Sequence, residues 1–114
     1  MTTSEIATVL AWHDALNAND VETLAALSSD DIEIGDPHGA AQGHEALRTW
    51  AASGRPATEL GKMYVHDGVV VAEQTGGAAL AFRVVHDHVT SVFRHQDLAS
   101  ALAATELTQA DLVT

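Results

Sequence analysis

Cysteine is absent from this 114-residue chain, which excludes disulfides and thiolate chemistry. Lysine and arginine together number 5 against 16 aspartates and glutamates, and the formal net charge is −11. Such a field repels phosphate backbones and anionic lipid, so neither nucleic acid nor a membrane surface is expected as a partner. No apolar run approaches the roughly 18 residues needed to cross a bilayer. The opening Met1-Thr2-Thr3-Ser4-Glu5 has no basic stretch ahead of an apolar one, so no secretory signal is read and a cytoplasmic location is expected. Glycine-rich phosphate loops and a Gly-X-Ser-X-Gly elbow are missing, and no cofactor is expected. What is present is apolar: hydrophobic residues make up 46% of the chain. A chain of this length buries roughly two-thirds of its extended surface, enough for one domain with one core.

The stretch from Asp30 to Gly43 organises the rest. Ile32 and Ile34 alternate with charged neighbours, the period of a strand with one buried face. Pro37 cannot donate to a sheet ladder and holds its own φ, so the strand stops in an Asp36-Pro37-His38-Gly39 turn. Pro37 also pushes Asp36 toward extended geometry. Asp36 therefore closes a strand at a rigid turn. Two roles are open to it there: a working carboxylate, or a cap for the turn.

Ahead of this stretch, Thr2 and Glu5 read as a capping box for a helix running to Asn17, with Val9, Trp12, His13 and Leu16 on its inward side. Asn19 or Asp20 caps a short second helix through Leu27. Gly43 starts a third, from His44 to Ser53, with Leu47 and Trp50 inward, Gly54 as its stop and Pro56 beyond. Strands are then predicted over 59–66, 69–75, 78–85 and 89–96. Asp67-Gly68, Gly76-Gly77 and His86-Asp87-His88 form the turns, and the 69–75 strand is central. Asp97 caps a last helix to Ala104, and residues 105–114 form one more helical turn or a loose tail. Helices followed by a strand meander give an α+β class, with the helices on one face of the sheet.

Ala15-Leu16-Asn17-Ala18-Asn19-Asp20, Asp30-Asp31-Ile32-Glu33, Asp36-Pro37-His38-Gly39 and Gly43-His44-Glu45-Ala46-Leu47-Arg48 resemble the SnoaL-like and ketosteroid-isomerase-like families of the nuclear transport factor 2-like superfamily. The resemblance runs on through Val89-Thr90-Ser91-Val92 to Asp97-Leu98. It implies a curved antiparallel sheet wrapped around the N-terminal helices, a cone-shaped pocket, and a homodimer packed through the convex sheet face. In ketosteroid isomerases the Asp of the Asp-Pro-X-Gly turn shuttles a proton, and Asp36 matches it. Their oxyanion hole uses a Tyr and a protonated Asp; the matching positions here read Trp12 and Leu80, and leucine donates nothing. Limonene-epoxide-hydrolase-like members use Asp-Arg-Asp, and the matching positions read Gln74, Gly76 and Arg94.

Asp36 is thus the catalytic candidate. Trp12, His13, His38, Trp50, Gln74 and Arg94 are the candidates for lining a ligand pocket. Arg94 is expected either inside that pocket, holding Asp36 ionised, or at its rim with its stem along apolar surface. His13 and the two tryptophans are read as pocket wall or plain core. His86 and His88 lack further ligands at sensible spacing, so no metal site is read. The expected partner is a small apolar or weakly anionic organic molecule. The function read is a cofactor-independent isomerase, dehydratase or cyclase, or else a non-catalytic ligand-binding or dimerisation domain on the same scaffold.

Overall fold

Helix α1 spans Thr2–Asn17 and buries Val9, Trp12, His13 and Leu16 on one side, the stripe its spacing predicts. Asp20 caps α2, Val21–Ala26, accepting from the Thr23 backbone N–H at 3.2 Å and the Thr23 hydroxyl at 2.7 Å. Strand β1, Ser28–Asp36, follows directly, and a short β2, Gly39–Gln42, pairs with it antiparallel. Helix α3 spans His44–Ala51. Its N-cap Gly43 has φ +97°, a left-handed geometry that glycine adopts without steric cost, and its N–H bonds Ile32 O at 2.8 Å. The computed structural model describes residues 2–36, 39–52 and 59–113, with the backbone alone for residues 2–4 and 36. The predicted turn at Pro37 and His38, and the helix stop at Gly54 and Pro56, lie outside the described residues.

Four strands complete the sheet: β3 Leu60–His66, β4 Val69–Gln74, β5 Ala79–Val85 and β6 His88–His95. Asp67 and Gly68 both take positive φ, as do His86 and Asp87, which is the twist that two-residue hairpins require. Helix α4, Leu98–Thr105, is capped by Asp97, whose carboxylate accepts the Ser100 N–H at 2.7 Å. The strand order is β2-β1-β6-β5-β4-β3. The sheet is curved, and the register shifts in β1, β3 and β5–β6 are irregularities of the kind that bend strands.

Four details differ from the sequence reading. Strand β1 lies parallel to β6, because the chain crosses from β1 to the far edge and meanders back. The 69–74 strand is next to the β3 edge, and the centre belongs to β6 and β5. Strand β2, over residues 39–42, is absent from the sequence reading, which ends there with the turn at Gly39. The helices occupy both faces. Met63, Val70, Ala72, Leu80 and Phe82 face α1 and α3, whereas Tyr64, Val71, Ala79 and Ala81 pack on Ala101 and Leu107 beyond the sheet. Strands that are apolar on both sides need a second cover, and α4 provides it. Beyond α4 the described residues, 106–113, take the helical-turn alternative: a 3-10 turn, Gln109–Asp111, after which Leu112 bridges Tyr64 and the Val113 N–H bonds Met63 O at 2.9 Å.

Gly35 is the most closely packed of the described glycines. A Cβ there would stand 2.4 Å from Phe93 Cε2 and 3.2 Å from Ala40 Cβ. Gly35→Ala is therefore expected to lower the unfolding free energy by about 1–3 kcal/mol in urea titrations. Phe93→Leu should recover part of that loss in the double variant. A Gly35→Ala chain as stable as the parent would show that Phe93 moves aside without cost.

Candidate functional site

Trp12 is fully buried where α1 meets the sheet. Its indole N–H donates to Ser28 Oγ at 2.9 Å, and that hydroxyl donates to Leu24 O at 2.7 Å. His44 Nε2 lies 3.3 Å from Ser28 O, which ties the start of α3 to the same point. The Trp12 ring meets Phe82 edge-on at 5.4 Å and Trp50 at 5.8 Å.

Trp50 is half-buried and forms one wall of an open trough between α3 and β2. One hollow, about 350 Å³, is bounded by Ile34, Gly35, Gly39, Ala40, Ala41 and Ala46. A second, about 490 Å³, shares Ala41, Ala46 and Trp50 and runs on to Gln42, Glu45 and Thr49. The lining is mainly apolar. The trough ends at Gly39, the residue whose backbone pairs with Asp36.

Arg94 is exposed near the end of β6, opposite Leu80 of β5 and two residues past the buried Val92. Gly35 of β1 pairs with Phe93 of β6, so Asp36 and Arg94 are the residues that follow on adjoining parallel strands. Gln74 is half-buried at the end of β4, two strands from Arg94. His13 is buried beside Trp12 on α1, its Nδ1 3.5 Å from the Asn17 amide nitrogen. The structure thus brings Trp12 against Trp50, and Arg94 onto the strand beside the one ending in Asp36. His13 lies on α1 and Gln74 at the end of β4, two strands from β6. The Asp36 side chain and His38 lie outside the described residues. Among the described residues no group of three His, Asp or Glu side chains is placed to hold a metal ion, and no helix is long and apolar enough to cross a membrane.

Residues 9–100 match the SnoaL-like domain. The chain belongs to that family. No curated protein matches it. Its fold is similar to a nuclear transport factor 2-like protein of unknown function from Cytophaga hutchinsonii (TM-score 0.71, 16% identity, covering 79% of this chain and 87% of that one). It is also similar to an epoxide hydrolase of the limonene-epoxide-hydrolase-like kind from M. tuberculosis (TM-score 0.69, 21% identity, 90% and 91% covered). A third solved structure, described as a candidate ketosteroid isomerase from Kribbella flavida, has TM-score 0.68 at 17% identity, with 82% and 77% covered. At these identities the likeness is one of fold.

Two site features of this SnoaL-like domain escaped the sequence reading. Ser28 meets Trp12, and His44 meets Ser28, only through tertiary packing, and their local sequence carries no sign of it. The alanines of the trough, Ala40, Ala41 and Ala46, read as spacers in sequence; a hollow forms because small side chains face Trp50.

Burial lowers the His13 pKa below the usual 6.5, and Asp14 opposes the shift in part. The ring is therefore neutral in the folded domain near neutral pH. A folded-state pKa below the unfolded one means that His13's contribution to stability is complete above pH 6.5 and is lost as the pH falls toward the folded value. The stability advantage of the parent over His13→Gln should narrow between pH 7.5 and pH 5 in urea titrations. An advantage that stays constant over that window would remove the argument.

Proposed function

We propose that this SnoaL-like domain binds a small, mostly apolar organic molecule at the end of β1 and acts on it as a cofactor-independent isomerase, dehydratase or cyclase, with Asp36 carrying the proton. The observation that carries this reading is the Gly35–Phe93 pair on parallel strands. Asp36 and Arg94 come next on each strand, and neighbouring strands lie about 4.8 Å apart. Ile32 and Ile34 are buried at alternate positions, and Asp36 is the next residue in that phase. The trough that ends at Gly39 supplies apolar surface beside it. An Arg94 guanidinium near Asp36 keeps the carboxylate ionised and offers N–H donors to a weakly anionic group of the ligand. Asp36 would take a proton from a carbon acid and return it at a neighbouring atom. Among the structural neighbours, the isomerase and the epoxide hydrolase bear names of enzymes that act on small organic molecules.

The second reading is a non-catalytic ligand-binding or dimerisation domain. Trp12 favours it: its N–H is engaged by Ser28, and Leu80, at the other oxyanion position, is buried and apolar. Neither polarises a carbonyl. A homodimer belongs to this reading and would use the part of the outer face that α4 leaves bare; sedimentation at micromolar concentration separates dimer from monomer.

Removing Arg94 removes the charge that favours ionised Asp36, so the Asp36 pKa should rise in Arg94→Ala. An NMR titration of that carboxyl checks it, and an unchanged midpoint means the two side chains do not meet. Catalysis is checked by deuterium uptake into a panel of cyclic enones and β-keto esters in D2O. Uptake above buffer, lost in Asp36→Asn, is expected; uptake equal in both proteins leaves the non-catalytic reading.

A further inference from the structure

The outer face of the sheet carries a hollow of its own, about 430 Å³, between β5, β6 and the C-terminal end of α4. It lies across the sheet from Trp12, and its volume falls in the range of small-molecule sites, about 300–1,000 Å³. Ala81 and Phe93 pair across β5 and β6 and line it with apolar surface. In the adjoining row Val69, Arg83 and Ser91 stand side by side on β4, β5 and β6. The Phe93 ring lies over Gly35, which has no Cβ to push it away.

Arg83 is the unusual member. It is exposed, and among the described residues no carboxylate pairs with it, in a chain where 16 acidic residues compete for 5 basic ones. A guanidinium beside a hydroxyl and next to an aromatic ring is a fork for one carboxylate with an apolar body behind it. His95 lines the hollow farther along β6, and Glu106 on the α4 side is the one carboxylate of the lining among the described residues. Glu106 repels a second negative group, so the hollow suits a monoacid over a diacid.

We propose that this hollow binds a small organic monoacid, its carboxylate on Arg83 and Ser91 and its aromatic or aliphatic body on Phe93 and Ala81. The site is separate from the end of β1 and does not rest on the function proposed there. The probe is 3-phenylpropionate, titrated into the full-length 15N-labelled chain and followed by amide shifts. Saturable shifts at residues 81–83, 91–93 and 104–106 are expected. The neutral 3-phenylpropionamide should bind at least tenfold more weakly, as the charge-assisted bonds are lost. Arg83→Gln should weaken the acid roughly tenfold, while Arg48→Gln, an exposed arginine on α3, leaves it unchanged. Both are surface replacements that the fold accommodates. Shifts that fail to saturate or fall elsewhere overturn the proposal. So does equal weakening by Arg83→Gln and Arg48→Gln, which would mean a general charge effect. A dimer mass with these amides protected from exchange also overturns it, because a second copy of the chain would then cover the hollow.

Discussion

The hydrogen bond from the Trp12 indole to Ser28 governs how the helices sit on the sheet. An indole N–H buried without a partner costs about 1–3 kcal/mol, so a fully buried Trp12 needs an acceptor at one defined place. Ser28 supplies it at 2.9 Å and passes its own proton to Leu24 O at 2.7 Å. One chain of donors thus joins α1, the end of α2 and the start of β1. The same ring packs edge-on with Phe82 of β5 and tilted against Trp50 of α3. With its N–H bonded and its ring packed against two other aromatics, Trp12 leaves α1 little freedom to slide. The open space left near α3 is the trough beyond Trp50.

A second constraint is the two-sided character of β3, β4 and β5. Alternation alone would bury one face and leave the other wet. Here both phases are apolar, so the chain must cover the sheet twice. The N-terminal helices cover one side before the strands are made, and α4 with the closing 3-10 turn covers part of the other after them. Leu107 is buried there, and Gln109 donates to Tyr64 Oη at 3.2 Å, so the last residues belong to the packed structure.

Charge sets the third constraint. With a net charge of −11, each cation stands out against a negative field. Arg94 and Arg83 lie on β6 and β5, on opposite phases and hence opposite faces of the sheet. One adjoins the end of β1, and the other lines the hollow beside α4. His13 is kept neutral by burial and adds nothing to this small positive inventory.

Period and punctuation were enough to read most of the elements from sequence. The inward stripe of α1, the caps at Asp20 and Asp97, the Asp67-Gly68 turn and the four later strands rest on local rules: helical spacing, side-chain capping and the positive φ of hairpin turns. The family was legible in the same stretches, because Asp30 to Arg48 contains both the strand and the helix start. Tertiary structure decided what local rules cannot reach. The parallel partnership of β1 with β6 joins residues some sixty positions apart and follows from sheet topology. The strand order, the placing of α4 on the outer face and the engagement of Trp12 by Ser28 are of the same kind. Each depends on which surfaces meet once the chain is compact, and no short window of sequence contains both partners.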